Sequence, residues 1–130
     1  MGQRFLMDSN VLIDYIGQNI PLNEKLFVEQ VINMEFIIPS VVKIEVLGFN
    51  ENFPDKILMM REFVGLATLL PLDNSVIEET IELRRNYKKL KLGDAIIAAT
   101  ALVYNLVLIT RNSGDFKNIP GLSIIDAHEI

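Results

Sequence analysis

The sequence predicts an α/β fold, a single domain over residues 1–130 built on a mostly parallel, five-stranded sheet. Three observations lead there. Short apolar runs alternate with helical patterns along the whole chain. The strand candidates are continuously apolar, which suits strands buried on both faces. No repeat, low-complexity stretch or linker rich in Gly, Pro or Ser divides the 130 residues, a length that fits one domain.

Residues 4–7 read as a first short strand that ends at Asp8. Residues 10–16 read as a short helix closed by Gly17. Residues 22–33 are amphipathic, with Leu22, Leu26, Val28, Val31 and Ile32 apolar and Glu24, Lys25, Glu29 and Gln30 between them. Residues 36–38 form a second strand stopped by Pro39, and Ser40 is placed as the N-cap of a helix running through Gly48. Pro54 suits the first turn of another helix that ends near Gly65. Residues 68–70 are a third strand before Pro71. Asp73 caps a helix over about 75–88, with Val76, Ile77, Thr80, Ile81 and Leu83 inward and Glu78, Glu79, Glu82, Arg84 and Arg85 outward. Residues 94–104 are apolar nearly all round, which makes that helix central. Residues 107–109 and 123–125 complete the strands.

Composition narrows the chemistry. Seventeen acids against twelve Lys and Arg leave a formal net charge of −5. The overall field therefore repels phosphate, and any nucleic-acid role needs a local basic patch, a metal ion or both. There is no cysteine, and the single histidine, His128, lies near the end. Thiol catalysis, disulfides, thiolate zinc sites and iron–sulfur clusters are excluded, as is any mechanism needing two histidines; a Ser-His-Asp triad is disfavoured. No leader-like segment is visible, and no apolar stretch reaches the roughly 18–20 residues that cross a bilayer. The expectation is a cytoplasmic protein with no membrane role.

In open parallel sheets, ligands bind beyond the carboxyl ends of the strands. Asp8 directly follows the first strand, and Asp115 lies in the loop after the fourth. Asp94 opens the apolar helix. Glu45 lies in the helix after the second strand, among Val41, Val42, Ile44, Val46 and Leu47. Singly, each acid suits a cap, a turn or a helix surface. Gathered in one cleft they would repel, and at least one pKa would rise. A divalent cation removes that repulsion, and Mg²⁺ prefers carboxylate oxygens plus water. Such a site activates water and stabilises the oxyanions of a displacement at phosphorus, with no need of His, Cys or a nucleophilic Ser.

Four segments then resemble, in order, the motifs of PIN-domain ribonucleases: MDSNVLIDY at 7–15, PSVVKIEVLG at 39–48, LKLGDAIIAATA at 90–101 and LITRNSGDF at 108–116. The resemblance covers nearly the whole chain and implies a three-layer α/β/α PIN-like domain. It implies an endoribonuclease dependent on Mg²⁺ or Mn²⁺, with one or two ions held by Asp8, Glu45, Asp94 and Asp115. Asn10, Thr110 and Asn112 match the polar positions that orient the acids and bound water. Metal-activated water would attack the phosphodiester in line, leaving 5′-phosphate and 3′-hydroxyl ends. Small free-standing members are most often VapC-type toxins, which implies a cognate antitoxin and a toxin homodimer. Asp14 reads as a surface or helix-end residue.

Arg84, Arg85, Lys88, Lys89 and Lys91 place five bases within eight positions just before Asp94, and Arg111 and Lys117 flank Asp115. Arg84, Arg85, Lys88, Lys91 and Arg111 are expected to meet RNA phosphates, most simply of a single-stranded or unpaired substrate. The competing reading is a solvated helix end whose charges complement the dipole. Phe49, Phe53, Ile57, Leu58, Met59, Met60 and Phe63 form an unusually apolar stretch. About half suits the core, and the remainder could receive an antitoxin helix or a second copy. The alternatives are a catalytically inactive PIN domain that binds RNA or protein, and a phosphatase of haloacid-dehalogenase type. The latter wants a second Asp two residues after the first, where this chain has Asn10.

Overall fold

The computed structural model describes residues 2–49 and 52–130. Its elements run β1 (Phe5–Met7), α1 (Ser9–Ile16), α2 (Leu22–Met34), β2 (Ile37–Pro39), α3 (Ser40–Leu47), α4 (Pro54–Val64), β3 (Thr68–Leu70), α5 (Asn74–Asn86), α6 (Leu92–Tyr104), β4 (Val107–Thr110) and β5 (Ile124–Asp126). Single 3-10 turns cover Ser113–Asp115 and Ala127–Glu129. Among the described residues, no helix is long and apolar enough to cross a membrane.

The α/β class and the five strands are those the sequence predicts, and every strand pair is parallel. The ladders divide in two, however: β1-β4-β5 form one sheet and β2-β3 the other. β1 lies beside β2, but strands of three residues, about 10 Å each, pack there without joining one ladder. Leu6 pairs with Leu108, Leu108 with Ile124, and Ile38 with Leu69. The parallel direction sets Met7, Thr110 and Asp126 at one carboxyl edge.

Most boundaries shift by a residue or two, as helix ends commonly do, and some shifts have a visible cause. Asp8 is the N-cap of α1, with Oδ1 accepting from Ser9 N at 2.7 Å, so the helix starts one residue earlier than predicted. Ser40 is not an N-cap. Its hydroxyl donates to Leu70 O at 3.1 Å, tying α3 to β3, and Pro39 takes the cap position. Asp94 is not the first residue of its helix but lies in the first turn, behind Lys91 at the N-cap. Asn105 ends α6 in the left-handed region, φ 60°, where Asn is among the few residues tolerated.

α6 is central as expected: Ala95, Ile97, Ala98, Ala99, Thr100 and Ala101 are all buried. It packs against α5, α3 and β4. On α5 the buried positions are Val76, Thr80 and Leu83, whereas Ile77 and Ile81 are exposed. On α2 the inward face is the predicted one at Val28 and Val31, with Ile32 packed against the core, but not in the first turns. Leu22 and Leu26 are exposed, and the buried positions are Glu24, Val28 and Val31. That i, i+4, i+7 stripe is regular helical spacing with a carboxylate in its first place. In 49–63, Met60 is buried and Phe63 half-buried, while Phe49, Phe53, Ile57, Leu58 and Met59 are exposed.

Phe116 is fully buried and directly follows Asp115, so one ring seats the loop after β4. Phe116→Ala is expected to cost about 3–5 kcal/mol of stability, the range for emptying a buried aromatic site. Leu66→Ala, at a largely exposed position, should change it by less than about 0.5 kcal/mol. Denaturant unfolding of both variants measures the contrast.

Candidate active site

The topology brings acids from separate elements to one edge. Asp8 follows β1, Glu45 lies on α3 just after β2, and Asp115 closes the turn after β4. α6 leads into the amino end of β4, so it must begin at the opposite, carboxyl edge, and Asp94 lies in that first turn.

Asp8 is the most firmly held, with 3% of its surface exposed. Its backbone N–H extends the β1–β4 ladder to Ile109 O at 3.0 Å. Oδ1 accepts from Ser9 N, and Oδ2 accepts from the Thr110 hydroxyl at 2.8 Å. Asn112 N in turn donates to Thr110 Oγ1 at 3.0 Å, and Asn112 Nδ2 donates to Asp115 Oδ2. A chain of hydrogen bonds therefore runs Asp8–Thr110–Asn112–Asp115. Asn10 is used differently: its Oδ1 accepts from Arg111 N at 3.1 Å, fastening α1 to the end of β4.

Burial raises the Asp8 carboxyl above its ordinary range; Thr110 and Ser9 oppose the shift and the Asp115 charge adds to it. Glu45 is also raised, mainly by burial, with the Ser9 hydroxyl opposing and Asp8 adding. Its Oε1 is buried with no hydrogen-bond partner. Asp94 is pushed up to about 6, first by burial and then by the charges of Asp8, Asp115 and Glu45, against Lys91. The electrostatic coupling of Asp94 to the other three acids is the mark of a shared site.

Gly93 shows how closely α3 and α6 approach here. A Cβ at that position would stand 3.0 Å from Glu45 Oε2, so a side chain would crowd the carboxylate. Sequence pattern alone does not single out Gly93, although its place beside Asp94 in the third motif is a signal.

A cleft of about 420 Å³ opens beside these acids, lined by Asp94, Gly114 and Asp115 together with Tyr87, Lys88, Lys89 and Lys91. The basic segment before α6 thus borders the site. Arg84 and Arg85 are exposed on the last turn of α5 but are not among the lining residues, and Arg84 donates to Leu90 O at 3.2 Å. Arg111 departs from its expected place on the rim. Its guanidinium is turned inward, NH1 3.1 Å from Glu24 Oε2 and Nε 3.3 Å from Asp14 Oδ2. Asp14 accordingly is an ion-pair partner and not a plain helix-end residue. Glu24, which the sequence pattern places on the polar face, is 2% exposed.

The donor set fits a hard divalent cation. It is all carboxylate oxygen, it includes an orphaned buried Oε1 on Glu45, and its like charges raise Asp94. Among the described residues, no three such groups converge tightly enough to enclose an ion as they stand; the acids border a gap.

Comparison with known proteins identifies the family. The family model of the PIN domain matches residues 5–122. Ribonuclease VapC of Rickettsia bellii (strain RML369-C) is 32% identical over 99 residues, 69% of this chain and 74% of that protein. A chain of a toxin–antitoxin complex from Klebsiella pneumoniae superimposes with a TM-score of 0.76 at 31% identity, covering 97% of this chain and 99% of that one. A chain of DNA-bound VapBC from Salmonella typhimurium gives a TM-score of 0.80 at 26% identity, with the same coverage of 97% and 99%. By the extent of the family match and the identity to VapC, this chain belongs to the PIN-domain family, among its VapC members.

Proposed function

We propose that this chain is a metal-dependent endoribonuclease that cuts single-stranded or unpaired RNA, and that it is the toxin of a pair with a protein antitoxin. The observation that supports the reading is that Asp8, Glu45, Asp94 and Asp115 come from four parts of the fold to one edge, where the other three charges act on Asp94, with Asp94 and Asp115 lining a lysine-bordered cleft. These four would hold one or two Mg²⁺ or Mn²⁺ ions. The chemistry such an ion supplies when bound is activation of water and stabilisation of developing charge at phosphorus.

The chain's own residues do the rest. Thr110 and Ser9 fix both oxygens of Asp8. Asn112 fixes Asp115 and braces Thr110. Gly93 leaves room for the Glu45 carboxylate. Lys88, Lys89 and Lys91 bind backbone phosphates as the strand enters, which supplies affinity without sequence choice.

The relatives in toxin–antitoxin complexes support a protein partner. A groove of about 290 Å³ lined by Tyr15, Ile16, Lys25, Glu29, Met59 and Phe63 joins α1, α2 and α4, with Ile57 and Leu58 exposed on α4. It suits an apolar segment of an antitoxin. The exposed Leu69, Leu72, Ile77 and Ile81 suit a second copy of the chain in a homodimer.

Purified protein is expected to cleave a mixed single-stranded RNA with Mg²⁺ or Mn²⁺ and not with EDTA, leaving 5′-phosphate and 3′-hydroxyl ends, while Asp8→Asn prepared identically does not. Equal cleavage by both proteins would defeat the reading, and 2′,3′-cyclic phosphate ends would defeat the water mechanism. For the cleft, the double change Lys88→Gln and Lys91→Gln should weaken RNA binding and flatten the plot of log affinity against log salt by about 0.7 for each phosphate no longer neutralised. An unchanged slope would remove these lysines from the RNA path. Gly93→Ala, whose Cβ would stand 3.0 Å from Glu45 Oε2, should weaken Mn²⁺ binding measured by calorimetry, and an unchanged affinity would remove Gly93 from the site.

A further inference from the structure

The residues that hold the acids are themselves carried by a short segment, 110–115, whose far end is seated by Phe116 and tied by Ser113 to Asp126, and whose first half is fastened separately. The segment has Thr110 bonded to Asp8, Asn112 bonded to Thr110 and Asp115, and Asp115 at its end. Between Thr110 and Asn112 stands Arg111, with its side chain only 15% exposed. Its guanidinium reaches Glu24 on α2 at 3.1 Å and Asp14 on α1 at 3.3 Å, and NH2 lies 3.3 Å from His128 Nδ1. Its backbone N–H donates to Asn10 Oδ1 on α1. One residue thus fastens the segment to α1, to α2 and to the C-terminal turn.

We propose that Arg111, clamped between Glu24 and Asp14, is a positioning residue that keeps Thr110, Asn112 and Asp115 in register with Asp8, so that cation binding by the acids depends on a charge pair outside them. The inference rests on the metal-binding reading of the site. A planar guanidinium suits this task because its fork addresses two carboxylates in fixed directions, which an ammonium cannot do. Glu24 is suited to it because, at the start of the buried stripe of α2, it has nowhere else to turn; its Oε2 takes the guanidinium while Oε1 has no hydrogen-bond partner.

A structural role and a positioning role separate in one set of variants. Arg111→Met alone leaves Glu24 buried and unpaired, so it should unfold at a lower temperature. The double variant Glu24→Met with Arg111→Met replaces the pair by apolar side chains and should recover most of that stability. Both variants should bind Mn²⁺ roughly tenfold or more weakly by calorimetry, the usual loss when a supporting residue is removed. Simple charge predicts the opposite for Arg111→Met, because losing a cation beside the acids would tighten Mn²⁺ binding. Wild-type Mn²⁺ affinity in a folded double variant would overturn the proposal. If the double variant does not fold, Arg111→Lys carries the test: it keeps the charge opposite Glu24, and undiminished Mn²⁺ affinity in it overturns the proposal too. Absence of Mn²⁺ binding by the wild type would instead overturn the metal reading. Amide hydrogen exchange over residues 111–116 then decides the positioning claim, with faster exchange in the folded variant expected and unchanged exchange overturning it.

Discussion

Like charges gathered at one edge of a buried sheet must be held there against their own repulsion, and most of this structure can be read as the means of doing so. Each acid is delivered by a different element, so no local rearrangement lets two of them part. The parallel ladders fix the edge itself. Asp8 continues the β1–β4 pairing through its own N–H, so moving its carboxylate means breaking the end of the sheet. Asp94 is rooted in α6, whose sides are buried for most of its length. Burial first, and then the charges of Asp8, Asp115 and Glu45, push Asp94 up to about 6.

The same constraint explains how charge is arranged over the molecule. With a net charge of −5, a phosphate chain approaching from a distance meets repulsion. Within the ~8 Å over which exposed charges act at physiological salt, the nearest groups decide. At the cleft these are Lys88, Lys89 and Lys91. The turn between α5 and α6 is therefore both a connection and a basic lip beside Asp94 and Asp115. In the proposed reading, affinity of this origin is strongly salt-dependent and indifferent to base sequence, so a choice of RNA would come from shape or from groups other than these lysines.

Much of this is legible in the sequence. The four acids stand at strand and helix ends, where a parallel sheet exposes ligands, and the order of the motifs ties them together. What is not legible has a common physical origin. Periodicity reads apolar faces, and it places Leu22 and Leu26 inward on α2. The structure instead buries Glu24 with Val28 and Val31, because a cation 87 positions away arrives to meet it. Arg111 misleads for the same reason: a basic residue beside an acidic motif suggests phosphate, and only the fold reveals two carboxylates behind it. Ser40 reads as a cap from its local setting, while its hydroxyl is engaged by a strand thirty positions on. Gly93 owes its role to Glu45, which approaches from another helix. Each of these is a partnership between distant residues, which local pattern does not contain.

The buried pair of Glu24 and Arg111 also bears on why a small domain would keep charge in its interior. Such a pair is a poor source of stability, since two apolar side chains of similar size often do as well or better. The attraction between apolar side chains, however, has no preferred direction of its own. A guanidinium hydrogen-bonded to Glu24 and ion-paired with Asp14 resists rotation as well as translation, because it is held from two directions. The loop it holds carries groups whose value lies in angle: a Thr110 hydroxyl aimed at one oxygen of Asp8, and an Asn112 amide aimed at one oxygen of Asp115. Where neighbouring charges repel and must still be aimed at one point, directional anchoring behind them is worth more than additional core.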